Sequence, residues 1–303
     1  MDKKIAFIGG GMIGAGLATN AALHGFRVVI QTRTPAKMGS VYGRVQDALQ
    51  AMEDNGMLTP EQVKEAYGRV TVTNSIADAA KDAVFVQESV AENLEVKRDT
   101  IAQIEAVCPK DTVIASATST ISATKLQEGA QDPGRILIGH PFNPAYLLPL
   151  VEVCVGEQTA EETVQKACEI YSAMGKEPIV CRKDLPGFLV NRISRAVLAD
   201  ARSTVISGAC TAEDYDKALI YGPGMRMAIT GQLLTIDLGT EGGLKNNAAK
   251  YGRALEPSEL LVAESVDEEI KNRDSSIGNT REDICKWRDK MIIDILRLHG
   301  KLP

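Results

Sequence analysis

Lys4-Ile5-Ala6-Phe7-Ile8-Gly9-Gly10-Gly11-Met12-Ile13-Gly14 decides the fold of this chain. The run from Lys4 to Ile8 is short, apolar and bounded by glycine, as a buried strand should be. A helix from about Ile13 to Leu23 follows, with Gly25 placed to cap it, and Phe26-Arg27-Val28-Val29-Ile30 reads as a second strand. This is a β-turn-α-β unit, for which a right-handed crossover and a parallel sheet are expected. Gly9, Gly11 and Gly14 stand at G-x-G-x-x-G spacing between the strand and the helix. Gly9 permits the tight turn, Gly11 lets a phosphate approach the backbone, and Gly14 lets helix and strand pack closely. The helix N-terminus adds partial positive charge. A dinucleotide site is therefore predicted, with Gly9, Gly11, Met12, Ile13 and Gly14 at its phosphates. The alternative is a glycine-rich connector with no ligand.

Strand and helix patterns then alternate as far as Pro178-Ile179-Val180-Cys181. Helical patterning runs from about Met38 to Glu53, again after Thr59-Pro60, from Glu92 to Val107, and from Thr159 to Met174. Strands are expected at Val70 to Val72, Ala83 to Gln87, Thr112 to Ser116, Arg135 to Gly139 and Leu148 to Val155. After Lys183-Asp184-Leu185-Pro186-Gly187 the strand signals stop, and helix follows helix with breaks at Gly208, Gly222-Pro223-Gly224 and Glu241-Gly242-Gly243. The fold class is α/β: a Rossmann-type doubly wound sheet over residues 1–185, then an all-helical domain over 186–303. The apolar stretch from Phe188 to Ile206 suits packing against another helix or subunit.

The end of the second strand reads Gln31-Thr32-Arg33-Thr34, with Lys37 beyond. A site for NAD usually places Asp or Glu there, for the ribose hydroxyls. Here Thr32 and Arg33 are the candidate ribose contacts, and Arg33 suits a 2′-phosphate, which favours NADP over NAD. The alternative is a solvated Arg33, with NAD held by Thr32 or Gln31.

His140 is one of three histidines, and it lies in His140-Pro141-Phe142-Asn143-Pro144. Glu152 follows twelve residues later, in the β-prone run Leu150-Val151-Glu152-Val153. A carboxylate on one imidazole nitrogen fixes the tautomer and leaves the other free to take a proton. This pair suits removal of an alcohol proton as hydride leaves the carbon. Ser116-Ala117-Thr118-Ser119-Thr120 lies at a strand's C-terminal end, where doubly wound sheets bind ligands. Its hydroxyls can hold a substrate oxygen or a nicotinamide ribose; an ST-turn capping the next helix would use the same residues. His24 and His299 have no companion set, and no cluster has metal-ligand spacing, so no metal is expected.

The chain has 303 residues, 44% of them hydrophobic, and a net charge of −6. That acidity argues against a nucleic-acid or anionic-membrane surface. There is no long apolar span and no signal-peptide pattern after Met1. The six cysteines lie far apart. They read as reduced thiols of a cytoplasmic protein.

Taken together, Gly9 to Gly14, Glu92-Asn93-Leu94-Glu95-Val96-Lys97, Ser116 to Ser119, His140 to Pro144, Leu150 to Val153 and Lys183 to Arg192 resemble the 3-hydroxyacyl-CoA dehydrogenase superfamily over essentially the whole length. The resemblance implies that His140 and Glu152 are catalytic, that Ser119 and Asn191 contact the substrate oxygen, and that Glu92 and Lys97 contact the cofactor, with Ser116 and Asn143 beside it. It also implies a homodimer through the helical domain. Gln87 to Glu92, His140 to Val153 and Gly224-Met225-Arg226 look most like the L-carnitine dehydrogenase and L-gulonate 3-dehydrogenase (lambda-crystallin) branch.

An arginine at position 226 suits a small substrate that carries its own carboxylate, and its alternative role is a structural ion pair at the dimer interface. Tyr146 is the nearest aromatic candidate for a substrate's quaternary ammonium group. The expected activity is NAD(P)-dependent oxidation of a small 3-hydroxy acid. A 3-hydroxyacyl-CoA dehydrogenase and a non-catalytic, crystallin-like dinucleotide-binding protein are the rivals.

Overall fold

The computed structural model describes residues 3–302. Met1, Asp2 and Pro303 lie outside them. The chain divides into two compact units, Met1–Arg195 and Ala196–Pro303.

The first unit holds one eight-stranded sheet in the order β3-β2-β1-β4-β5-β6-β7-β8. Its strands are β1 (Lys4–Ile8), β2 (Arg27–Gln31), β3 (Val70–Thr73), β4 (Ala83–Glu88), β5 (Val113–Ser116), β6 (Ile136–Pro141), β7 (Leu150–Cys154) and β8 (Glu177–Cys181). Neighbours run parallel except β6 and β7. The helices of this unit are α1 (Met12–Leu23), α2 (Met38–Asp54), α3 (Pro60–Gly68), α4 (Ile76–Ala80), α5 (Leu94–Glu105), α6 (Ala123–Gln127) and α7 (Glu161–Ala173). The short α4 and α6 were not anticipated individually: five residues carry too little periodicity to stand out from turn chemistry.

Two apolar clusters sandwich the sheet. One joins Phe7, Ile30 and Phe85 to Leu17, Leu49 and Tyr171. The other joins Ile8, Val86 and Ile114 to Ile101, Ile104 and Leu126. A sheet buried on both faces needs continuous apolar strands, and every residue of β1 is buried. Helix α1 is buried from Gly14 to Ala22 because its small residues admit close neighbours. Helix α3 begins with the Thr59–Gln62 capping box and Pro60 in its first turn.

Helix α8 (Val190–Ile206) carries the chain into the second unit, which holds α9 (Ala212–Leu219), α10 (Met225–Leu238), α11 (Leu244–Lys250), α12 (Pro257–Asn272) and α13 (Arg281–Leu298). Its small core includes Leu234, Val266, Ile270 and Ile284. The nearly buried Asp237 ties the bundle together: it bonds Arg281 Nε at 2.8 Å and accepts from the Leu244 amide at 2.7 Å. Arg281 also reaches Asp267 at 2.6 Å.

Candidate active site

The glycine turn has the shape its spacing requires. Gly9 has φ +111 and backs onto the Ser89 carbonyl, where a β-carbon would collide. A β-carbon on Gly14 would strike the Gly9 carbonyl oxygen, so helix and turn touch through backbone alone. At Gly11 a β-carbon would meet nothing within 4 Å, and no side chain caps α1. The turn opens on a cavity of about 490 Å³ lined by Gly9, Gly11, Thr32, Arg33, Lys37, Arg44 and residues around Ser89. No carboxylate is among its lining residues. Sequence reasoning missed Arg44, which sits on α2 and donates to the Gly10 carbonyl at 3.2 Å. Its only signal was its position three residues after Val41, which is buried against the same turn. Open backbone, a positive helix end and three cations fit the phosphates of a dinucleotide.

Beside this cavity the C-terminal ends of β4 and β5 share a buried polar network. Lys97 Nζ lies 2.9 and 3.1 Å from the two oxygens of Glu88 and 3.5 Å from Glu92, and its side chain is 1% exposed. Ser116 Oγ also donates to Glu88. Glu88 had no role assigned from the sequence, though an acid ending an apolar strand was the visible cue. The fold thus spends Lys97 and Ser116 on a protein partner. Glu92 Oε1 accepts from the hydroxyls of Thr118 and Thr120 and from the amides of Ser119 and Thr120. Burial would push the Glu92 carboxyl up, but the Thr118 and Thr120 hydroxyls and Lys97 outweigh it and hold it below the ordinary range. Glu92 therefore clamps the loop that carries Ser119. The Ser119 carbonyl accepts from Asn191 Nδ2 at 3.0 Å, which brings these two site positions together.

His140 and Glu152 face each other across the antiparallel β6–β7 pair. Glu152 is fully buried, and its Oε2 lies 2.7 Å from His140 Nδ1. Its Oε1 accepts from the amides of Leu189 and Val190, each at 2.8 Å. Burial would raise the Glu152 carboxyl; the His140 bond and the two amides outweigh it and hold it below the ordinary range. An ionised Glu152 accepts a hydrogen bond from Nδ1–H of the ring, which leaves Nε2 as the nitrogen free to take a proton. The rings of Phe142 and Phe188 flank the imidazole, with centroids at 4.6 and 5.5 Å.

The loop after His140 is anchored from below. Lys176 Nζ is buried and donates to the carbonyls of Ala145 and Leu148 at 2.5 and 2.9 Å. Gly16 on α1 lets Ala145 and Tyr146 approach it, and Asn20 Nδ2 reaches the Tyr146 carbonyl at 3.3 Å. Asn143, Tyr146 and Met12 line a smaller cavity with Arg44. Before His140, the Gly139 carbonyl accepts from Gln87 Nε2, and Gln87 Oε1 accepts from the Tyr171 hydroxyl; Gln87 and Tyr171 are both fully buried.

In the second unit Arg226 is exposed in the first turn of α10. A π-helical turn over Ile220–Gly224 precedes it, where a β-carbon on Gly224 would press against the Leu219 carbonyl at 2.5 Å.

The family model described as 3-hydroxyacyl-CoA dehydrogenase, NAD binding domain, matches residues 4–185, and the model of that family's C-terminal domain matches residues 187–276. The L-carnitine dehydrogenase of Streptomyces griseus is 36% identical, over 99% of this chain and 91% of that protein. The solved structure of 5-formyl-3-hydroxy-2-methylpyridine 4-carboxylic acid 5-dehydrogenase, an NAD+-dependent dismutase, has a TM-score of 0.74 at 29% identity, covering 99% of this chain and 100% of that one. The 3-hydroxybutyryl-CoA dehydrogenase of Escherichia coli K12 has a TM-score of 0.67 at 32% identity, covering 82% of this chain and 51% of that one.

Proposed function

The chain belongs to the 3-hydroxyacyl-CoA dehydrogenase family, and from that membership we propose that it oxidises the 3-hydroxyl of a small acid of the L-carnitine or L-gulonate kind to the 3-oxo acid. The enzyme class, an NAD-dependent oxidoreductase acting on CH–OH, follows from the family. The observation that carries the reading is the buried His140–Glu152 pair at 2.7 Å.

His140 Nε2 takes the hydroxyl proton in oxidation and returns it in reduction. Glu152 holds the ring in one tautomer and offsets the charge of the imidazolium. Ser119 and Asn191 hold the reacting oxygen, and Arg226 holds the carboxylate as a fork. A bound nicotinamide supplies the hydride acceptor. Gly9, Gly11, Met12, Ile13 and Gly14 hold its phosphates, Thr32 and Arg33 its adenosine ribose, and Glu92 and Asn143 its nicotinamide end; Lys97 and Ser116, expected there from the resemblance, are instead taken up by Glu88.

Full-length likeness to L-carnitine dehydrogenases, and to an enzyme whose substrate is a pyridine carboxylic acid, supports a free acid. Met227, Ala228 and Ile229 follow Arg226 and offer no ring for a quaternary ammonium group. The reading thus rests on the carboxylate, with Tyr146 as the aromatic candidate. A thioester substrate is the second reading, favoured by the likeness to the Escherichia coli 3-hydroxybutyryl-CoA dehydrogenase.

For the cofactor the reading is NADP over NAD. Arg33, Lys37 and Arg44 share the cavity beside the glycine turn with no acid among its lining residues. A cytoplasmic homodimer completes the reading: α8 has no buried residue, and Ile193, Leu198 and Ile206 are exposed on it.

Nicotinamide absorbance tests this directly, with NAD and NADP each offered against L-carnitine, L-gulonate, other short 3-hydroxy acids and 3-hydroxybutyryl-CoA. Turnover of a free acid supports the reading. Turnover of the thioester alone overturns the substrate and leaves the family intact.

A further inference from the structure

Phe188 has a strained backbone beside the His140–Glu152 pair. Its φ is +51, a region that bulky side chains rarely enter, and it follows Gly187 at φ +81. Among the described residues only Asp82 shares a positive φ without being glycine. Phe188 is 2% exposed, and its ring packs with Ile138, Cys154 and Cys181 in the core beneath the sheet. Two consequences of this conformation meet at one place. The next two amides, of Leu189 and Val190, turn onto Glu152 Oε1. The ring stands 5.5 Å from the imidazole of His140, which Phe142 also contacts at 4.6 Å.

A carboxylate held only by His140 could rotate about its last bond and lose the ring. With two amides on Oε1 and imidazole on Oε2, rotation would break three hydrogen bonds at once. We infer that Phe188 is a positioning residue for proton transfer: its left-handed backbone aims the Leu189 and Val190 amides at Glu152, and its ring walls the imidazole of His140. Backbone strain that persists beside a site is held there by its surroundings, and here those surroundings are the core around the ring and the dyad that takes the next two amides. The inference rests on the dehydrogenase reading above, because it needs His140 to carry the proton.

Two variants separate ring from backbone. Phe188→Leu removes the ring and keeps a side chain that tolerates the turn about as well as phenylalanine. Phe188→Val adds β-branching, which the positive φ excludes. The expected result is a fall in kcat on the order of ten-fold for Phe188→Leu and larger for Phe188→Val, against the 10²–10⁴-fold range of acid–base catalysis. The acid limb of the kcat/KM profile should move to lower pH, since a carboxylate that swings away no longer favours the charged ring. Cofactor affinity by titration should stay within about two-fold, since neither variant alters the glycine turn. If Phe188→Leu melts earlier but keeps wild-type kcat and acid limb, the residue is packing only and the inference fails. That variant decides the matter if Phe188→Val does not fold. His140→Gln is the separate control: turnover within a few-fold of wild type would sink the dehydrogenase mechanism, whatever Phe188 does.

Discussion

The hydroxyl of Tyr171 occupies the space into which a side chain at Gly139 would grow. Gly139 immediately precedes His140 on β6, and Tyr171 comes from α7. The hydroxyl also donates to Gln87 at 2.5 Å, so it cannot yield without leaving a buried amide short of a partner. Gly139→Ala should therefore cost about 2–3 kcal/mol in urea unfolding, at the upper end of overpacking penalties. It should also lower kcat by displacing the strand beneath His140. A neutral Gly139→Ala would mean that the helix yields freely.

Removing the charge of Glu152 tests the dyad. Glu152→Gln keeps the size and one acceptor but withdraws the negative charge 2.7 Å from the ring. Turnover should fall on the order of 10²-fold or more, and the acid limb of kcat/KM should shift to lower pH. His140→Ala should abolish turnover while cofactor binding persists. An unmoved limb in Glu152→Gln would separate Glu152 from proton transfer.

Arg33→Asp reverses the charge at the proposed 2′-phosphate contact and supplies the acid that an NAD site usually has. The KM for NADP should rise roughly ten- to hundred-fold, the value of one or two charged hydrogen bonds, while use of NAD improves. Should both cofactors respond equally, Arg33 does not read the ribose.

Lys176 makes a pH prediction with a definite sign. Burial lowers its ammonium from 10.5 to about 8. Between these values the unfolded chain holds a proton that the native protein has released, so native stability rises with pH across that window. Below it, the native state bears the full cost of a buried cation, on the order of 3 kcal/mol. The difference in unfolding free energy between wild type and Lys176→Met should therefore shift in favour of wild type from pH 8 to 10.5. A difference that stays flat with pH would remove desolvation as the cause.

The helical unit has its own reporter, since Trp287 is the single tryptophan and lies on α13. Asp237→Ala leaves Arg281 without its most buried partner and the Leu244 amide without an acceptor. Unfolding followed by tryptophan should show a loss of about 1–3 kcal/mol, chiefly the cost of the buried Leu244 amide left without its acceptor. A transition that stays in place would show Asp267 to be enough for Arg281.

The first unit was largely legible because its strands are short apolar runs between strong punctuation. The glycine turn, the capped start of α3 and the His140–Glu152 spacing could all be read from neighbours in sequence. What stayed hidden depends on contacts between residues far apart. Glu88 meets Lys97 and Ser116, Arg44 reaches Gly10, and Glu152 takes amides from Leu189 and Val190. No local pattern announces a backbone donor, and an arginine on an amphipathic helix looks like any solvated charge. The conformation of Phe188 was invisible for the same reason: left-handed geometry is usually signalled by glycine or asparagine, and here the core imposes it on a phenylalanine.

The reversal of β7 and β8 relative to the other six strands has a consequence for how the protein is assembled and how it can diversify. Parallel neighbours need long crossovers, whereas β6 and β7, which carry His140 and Glu152, are joined by the short loop of residues 142–149. Closing so short a loop costs little chain entropy. The acid–base pair can therefore meet as a hairpin event within the first unit, and the amides of Leu189 and Val190 then lock it. A lineage could then remodel the helical unit for new acids while inheriting a finished proton-transfer device.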